Sequence, residues 1–480
     1  MALFLLNRSK IHMFKNFIII TLRSLASHRL YTFINILGLA VGMACALLIA
    51  IYLVHELSYD KFHRDSERIY RVSVEGRLRG QPLHIAVTPP PMASTISREY
   101  PQVESTVRIV KMGAWLVASK RARDNEDNLY FADSNFFNFF TFSLIEGNPE
   151  RVFDQTNSLV LTRSAALKYF GTAHAVGKTL RIENFKEEFT VTGIAEDVPV
   201  TSHFKFDILG STAAVQKYLR QVWISNNAYT YLKVKPGTQV KELENQLDQL
   251  VWKYVVPEVK DYFGSSDESF EEGANVIRYN LQPLKSIHLT SNLDVELEDN
   301  SRSMYIYTFA IIALLILLVA CINFINLSTA NSSNRAREVI LRKVIGSDRK
   351  MLVFQFLTES VIFSFAALIL ALLLAELVMP HFNRYLGIEL SFSYLSNASS
   401  VIGILFFTLC LGLLAGSYPA FFISSYSPVR VLHGVLNLGI RSRKVRSIFV
   451  IVQFFISILI IILTSVVFAQ VDHMMASEVG

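Results

Sequence analysis

Five long apolar runs dominate this sequence, at about Tyr31–Val54, Met304–Leu327, Ser360–Met379, Val401–Phe422 and Ile448–Ala469. As helices rising about 1.5 Å per residue, each can cross roughly 30 Å of hydrocarbon. A segment in lipid must satisfy its own backbone hydrogen bonds, which leaves the helix as the natural conformation for such runs. The residues are 51% hydrophobic and 18% charged, against about one-quarter charged in ordinary soluble domains. The apolar excess sits in the runs, with ordinary polar sequence between them, so the chain reads as a polytopic membrane protein and not as a soluble enzyme or a disordered one. Lys15, Arg23 and Arg29 precede the first run as they would a secretory signal. That run is too long for an h-region of about 7–15 residues and has no small-residue cleavage site, so it predicts a retained helix.

Lys and Arg in the connections set the orientation. Arg8, Lys10, Lys15, Arg23 and Arg29 lie before the first span; Arg335, Arg337, Arg342, Lys343, Arg349 and Lys350 follow the second; Arg430, Arg441, Arg443, Lys444 and Arg446 follow the fourth. Only Arg384 lies between the third and fourth spans, and the tail after the fifth has no Lys or Arg. This alternation predicts a cytoplasmic N-terminus. The resulting order is a cytoplasmic segment 1–30 with an amphipathic helix, span 31–54, an extracytoplasmic domain 55–303, span 304–327, and a cytoplasmic segment 328–359. Span 360–379, an outer connection 380–400, span 401–422, a basic cytoplasmic connection 423–447, span 448–469 and an outer tail 470–480 follow. The net charge of +6 is then explained by the inner membrane face, with no nucleic-acid partner.

All three cysteines, Cys45, Cys321 and Cys410, fall inside spans. The external domain, roughly 250 residues long, therefore has no disulfide framework and must hold itself by its core, which that size permits. Short β-branched or aromatic runs predict strands at Arg68–Val74, Thr106–Val110, Ala114–Ser119, Ser158–Leu161, Lys178–Ile182 and Glu188–Ile194. Amphipathic spacing predicts helices at Met92–Tyr100, Ser164–Phe170 and Val240–Val255. The fold class is thus about five transmembrane helices with one large α+β extracytoplasmic domain, whose second lobe is placed after Asp133.

Two motifs invite chemistry and do not sustain it. Gly171 to Thr179 approaches a phosphate-binding loop, but five residues separate its glycines where four are needed, and its flanks read helix then strand. A turn is the better reading. His55, Glu56, Asp60 and His63 are metal-ligand types, but their spacing is not H-E-x-x-H and they stand where span 1 leaves the membrane. No Ser or Cys has nucleophile context, so no catalytic, cofactor-binding or metal residue is assigned.

Small residues recur at four-residue spacing, as Gly38, Gly42, Ala46 and Ala50 in span 1 and as Gly412, Gly416 and Ala420 in span 4. Such faces allow close helix approach, within one bundle or between subunits. Asn323 and Asn326 can hydrogen-bond across helices, while Glu376 lies near the outer end of span 3. The segment Ser333–Lys350 (SNRAREVILRKVIGSDRK) is short, charged and helical in spacing, with Gly346 as its stop. It is either a solvated connecting helix or a lever that docks a cytoplasmic partner.

These segments resemble the MacB/FtsX family of ABC-transporter permeases, in the form carrying an N-terminal MacB-like periplasmic domain common in Bacteroidota. The resemblance rests on FINILGLAVGMACALLIAIYLVHELSYDKFH, RIYRV, FADSNFFNFFTFSLIEGNP, LVLTRSAALKYFG, FTVTGIAEDVPVTSHFKFD, LQPLKSIHLTSNL, CINFINLSTA, RAREVILRKVIGS and AGSYPAFFISSYSPVRVL, from Met13 onward. It implies a multi-pass permease of the bacterial inner membrane that is not itself an enzyme. The expected partners are a separate cytoplasmic ATP-binding subunit holding ATP and Mg, a second permease copy or paralogue, and periplasmic or outer-membrane proteins. The implied mechanism is mechanotransmission serving efflux, lipoprotein release or envelope regulation. On the same resemblance Arg335, Glu338, Arg342, Lys343 and Gly346 match the ATPase-coupling motif, although Ile340 stands where glycine is common and Ser347-Asp348 where Ala-Ser is. Family members generally repeat the plan over eight spans, so the chain is expected to be one module plus the first helix of a second. The alternative function is a membrane-anchored sensor or scaffold that regulates an envelope protein without transport.

Overall fold

The computed structural model describes residues 29–78, 80–183, 185–263, 275–331, 339–395, 397–425 and 439–476. The amphipathic segment expected before residue 29, Arg335 and Glu338 of the coupling motif, and the basic stretch 426–438 lie outside the described residues. The chain divides into a membrane unit (Met1–His55 with Met304–Gly480) and an external unit (Glu56–Ser303).

Among the described residues, five helices are long and apolar enough to span a bilayer. Span 1 is Arg29–Glu56, span 2 Ser303–Ala330, span 3 Arg349–Leu386, span 4 Ala398–Ile423, and span 5 lies within Gly439–Ala476. Span 3 is 38 residues long, about 57 Å at the helical rise, so it continues well beyond the apolar run. Many large apolar side chains of the spans remain exposed, among them Leu314, Leu377, Phe406 and Phe455, as helices bathed in hydrocarbon allow. The interior is formed by Leu39, Met43, Leu317, Phe363, Ala367 and Ala415.

The external unit is built on one sheet of thirteen strands, counted among the described residues. One half comprises β1 (Ile69–Leu78), β2 (Gln81–Ile85), β3 (Val103–Lys111), β12 (Tyr229–Val234) and β13 (Val276–Pro283). The other comprises β4 (Trp115–Ala118), β5 (Arg123–Glu126), β6 (Leu129–Ala132), β7 (Leu144–Glu146), β8 (Ser158–Thr162), β9 (Thr179–Ile182), β10 (Phe189–Ala195) and β11 (Ile208–Ser211). The order is β13-β1-β12-β3-β6-β11-β8-β10-β9-β4-β5, with β2 beside β1 and β7 beside β10. Everything from β4 to β11 is inserted in sequence between β3 and β12. The sheet runs unbroken through this insertion, and Glu56–Ser303 forms one compact unit. Asp133 sits at the joint, where its carboxylate accepts hydrogen bonds from the Arg108 side chain of β3 (2.8 Å) and from Thr212 Oγ1 (2.8 Å).

The helices Met92–Glu99 and Val240–Leu247 pack their apolar sides on the first half, with Met92, Ile96, Leu243 and Leu247 against Val72 and Leu232. Helix Arg163–Phe170 packs on the second half through Ala165, Ala166 and Tyr169, and Thr162 caps it by accepting from the amide of Ala165. A cluster of phenylalanines, Phe136, Phe140, Phe142, Phe204 and Phe206, fills the remaining face, with Phe136 and Phe142 stacked at 5.6 Å. Aromatic burial on this scale supplies the core that the absence of disulfides demands.

Candidate coupling site

On the connection between spans 2 and 3, residues 339–344 are helical. The helix ends with Gly346, whose φ of 104° is a conformation side chains resist, and the Ser347 amide turns back to donate to the Arg342 carbonyl (2.9 Å). One side packs onto the ends of spans 3 and 4, where Val339 joins Leu352, Phe356, Ala420 and Ile423 in a small core. The Arg342 guanidinium donates to Gln355 Oε1 of span 3 (2.5 Å), and the Lys343 ammonium donates to the Ser424 carbonyl just past span 4 (2.7 Å). Partial burial, then the nearby charge of Arg349, holds the Lys343 pKa below its ordinary value.

The outer side is apolar. Leu341, Val344 and Ile345 are 64%, 66% and 84% exposed, and their i, i+3, i+4 spacing groups them on one stripe. Of the charged residues picked out from sequence, Arg342 and Lys343 thus point toward the spans, and the apolar residues Leu341, Val344 and Ile345 form the exposed face. Sequence reading missed this because it treated charge as the mark of a docking surface. The signal available was the apolar L-x-x-V-I spacing within an otherwise basic connection.

The small-residue faces meet other spans of the same chain. A methyl group on Gly42 would come within 2.7 Å of Ala320 Cβ of span 2, and one on Gly38 within 3.0 Å of Asn323 Nδ2. On Gly412 it would lie 2.9 Å from the Val361 backbone of span 3, and on Gly416 it would run into the Ser360 side chain. Ala46 borders an apolar cleft of about 460 Å³ together with Leu47, Leu314, Leu368 and Phe407. Asn326 Nδ2 reaches Gln453 Oε1 of span 5 at 3.4 Å. Glu376 is exposed, whereas Glu359, placed by sequence at the edge of span 3, is buried beside Gln355 and Ser360.

The two motifs set aside above are resolved by their surroundings. Gly171 caps helix Arg163–Phe170 in a left-handed conformation (φ 71°), and Lys178 lies over the Phe170 ring, as a turn requires. Three of the four possible metal ligands are engaged by other partners. Glu56 pairs with His288 (3.1 Å), the Asp60 carboxylate faces His203 Nδ1 (2.9 Å), and His63 Nδ1 accepts from the Thr141 amide (3.0 Å). Accepting at Nδ1 fixes the proton of neutral His63 on Nε2, which removes that nitrogen as a ligand. Among the described residues no group of three or more His, Cys, Asp or Glu is arranged to hold a metal ion. Burial pushes the His63 pKa down to about 4, opposed by the charge of Asp60 and aided by His203.

Helices of spanning length, a large mixed α/β unit between the first two in sequence, and a short helix packed against spans 3 and 4 define a polytopic membrane protein. Residues 32–250 match the MacB-like periplasmic core domain and residues 310–428 the FtsX-like permease C-terminal domain, and the chain belongs to the MacB/FtsX family of ABC-transporter permeases. It is 31% identical over 278 residues to the macrolide export ATP-binding/permease protein MacB of Bdellovibrio bacteriovorus, a match covering 57% of this chain and 38% of that one. It is 22% identical over 437 residues to YvrN of Bacillus subtilis, an uncharacterized ABC transporter permease, covering 86% of this chain and 98% of that one. The crystal structure of the periplasmic region of MacB from Actinobacillus actinomycetemcomitans aligns at 17% identity with a TM-score of 0.32, covering 46% of this chain and 91% of that one.

Proposed function

We propose that the chain is the non-catalytic permease subunit of an ABC transporter in the bacterial inner membrane, with its N-terminus and the 331–348 connection in the cytoplasm. A separate ATP-binding subunit carrying ATP and Mg docks there, and a second permease copy completes the assembly. Closure of the ATP-binding subunits moves the spans and, through them, the periplasmic domain, in the service of efflux, lipoprotein release or envelope regulation.

The observation that carries this reading is the two-sided helix at 339–344. Its inner side is tied to spans 3 and 4 by Val339, Arg342 and Lys343, while Leu341, Val344 and Ile345 are left outward. A push on the outer side is therefore delivered to the ends of two spans and is not absorbed by a slack loop. Arg342 and Lys343 hold the lever, and the apolar stripe is its contact.

Co-expression with the ATP-binding subunit tests the assignment. Leu341→Glu with Ile345→Glu is expected to reduce capture of that subunit at least tenfold, because it places charge in an apolar contact. Arg342→Gln with Lys343→Gln is expected to retain capture and lose the stimulation of ATP hydrolysis. Undiminished capture by the double-glutamate variant would refute the docking assignment.

A further inference from the structure

The external unit contains a second arrangement that the docking site does not use. The stretch after span 1, residues 56–63, forms no strand, yet Glu56, Asp60 and His63 are buried. Glu56 Oε2 meets His288 Nε2 at 3.1 Å, and the His288 ring stacks on Tyr59 with its centroid 3.3 Å away and the planes 1° apart. His288 belongs to the short helix Ile287–Thr290, on the stretch that returns toward span 2.

Four residues further on, Asp60 makes a second tie. Its amide donates to the Thr201 carbonyl (2.8 Å), and its Oδ1 accepts from the His203 amide (3.2 Å). His203 Nε2 meets the hydroxyl of Tyr231 in the centre of β12 at 2.8 Å. Tyr231 also faces the guanidinium of Arg71 on β1. Arg71 in turn holds Glu296 of the returning stretch at 2.5 and 2.8 Å and donates to Ser291 Oγ at 2.9 Å. A chain of polar side chains thus runs from the outgoing stretch through the sheet to the returning one.

This chain works against stability where it begins. Asp60 has a φ of 58°, a left-handed conformation unusual for any residue but glycine. Its Oδ2 and the Nε2 of His63 have no protein hydrogen-bond partner, and buried groups in that condition are unfavourable. An apolar filling would pack better, so the polar groups are better explained by the position they enforce.

We propose that Glu56, Asp60, His203 and His288 are positioning residues for force transfer. They clasp the stretch that follows span 1 to the stretch that precedes span 2, so that the two attachments of the external unit keep a fixed separation. The force-transfer role rests on the mechanical reading given under Proposed function; the clasp rests on the contacts above.

Spin labels at Lys61→Cys and Thr290→Cys, both exposed positions, test it in the full chain with Cys45, Cys321 and Cys410 replaced by alanine and the protein in lipid nanodiscs. Pulsed electron–electron distance measurement should give one narrow distribution. His288→Ala is expected to broaden it at least twofold, and His288→Gln, which keeps a donor for Glu56, to restore most of the narrowness. Asp60→Gly, which suits the left-handed backbone and removes only the carboxylate, should broaden it too. In the complex with the ATP-binding subunit, His288→Ala should keep capture and lose at least fivefold in stimulated ATP hydrolysis. Unchanged width in both His288→Ala and Asp60→Gly would overturn the clasp while leaving the transporter reading intact. A wild-type chain that captures no ATP-binding subunit would overturn the transporter reading, and with it the force-transfer role, whatever the widths.

Discussion

The largest fully buried side chain of the external unit is an arginine, Arg71, whereas in the membrane unit Gly42, Gly412 and Gly416 face neighbouring spans so closely that a methyl group would not fit without a shift. The contrast follows from the two solvents. In water, burying apolar area contributes about 25 cal/mol per Å², and the aromatic clusters of the external unit supply enough of it to tolerate an ion pair at the centre. Between helices in lipid that gain vanishes, because the hydrocarbon is as apolar as leucine, and stability comes from close packing at small residues with modest polar contacts. Two built-in probes separate the units. Trp115, Trp223 and Trp252 all lie in the external unit, and Cys45, Cys321 and Cys410 all lie in the membrane unit. Tryptophan fluorescence and thiol labelling during unfolding therefore report on different halves of one chain.

The largest effect is expected at Arg71. Arg71→Ala leaves Glu296 without its buried partner and should lower the tryptophan-detected stability by about 3–5 kcal/mol. Replacing the pair together, Arg71→Met with Glu296→Leu, should recover most of that loss or exceed the wild type, since a buried ion pair often gives no net gain over apolar groups of its size. If Arg71→Ala is silent, the contrast between the two units collapses.

Acid should act on the external unit next. The unfolded chain takes up a proton at His63 near the ordinary imidazole value of about 6.5, while the folded site, dried by burial, takes it only at about 4. Between those values the unfolded state binds more protons, so stability is full above pH 6.5 and falls as pH drops towards 4, by roughly 3 kcal/mol at most. His63→Gln should flatten that part of the pH profile in tryptophan-detected unfolding, leaving thiol-detected unfolding of the spans unchanged.

How much of this could be read from sequence differs between the units in the same way. The spans were legible because lipid demands long uninterrupted apolar runs, and all five appear as helices, although the helices of spans 3 and 5 run several residues past the expected limits at both ends. In the external unit, strands β1, β3, β4, β8, β9 and β10 were legible from short β-branched runs, but β6, β11 and β12 were not. Every residue of those three is buried, so the alternation that marks a half-exposed strand is absent. Strand β8 is buried throughout as well and was read from its apolar run alone, whereas Lys233 in β12 reads as surface. At the candidate site, the charges of Arg342 and Lys343 drew attention to the connection between spans 2 and 3. Their inward direction was not legible, since it depends on Gln355 and Ser424, which lie on other spans.

Within the membrane unit, small-to-large substitution should cost more than removing a lipid-facing side chain. Gly42→Val drives a branched side chain against Ala320 and the backbone carbonyl of Ile316, and should lower thiol-detected stability by about 1–3 kcal/mol. Leu314→Ala, on an exposed position, should change it far less. The reverse order would mean that lipid-facing apolar area, and not interhelical approach, stabilises the bundle.

The smallest effect is expected at the amide pair between spans 2 and 5. Asn326 Nδ2 and Gln453 Oε1 are 3.4 Å apart, at the long end for a hydrogen bond. Pairs of this kind in membranes average about 0.6 kcal/mol, because amides freed in lipid find other partners. Asn326→Leu should therefore shift thiol-detected unfolding by about that amount, and adding Gln453→Leu should return it towards the wild type, leaving no unpaired amide on either helix. A loss as large as that at Arg71 would show that buried polar groups are as demanding in lipid as in the external core. The difference between the two units would then lie in packing alone.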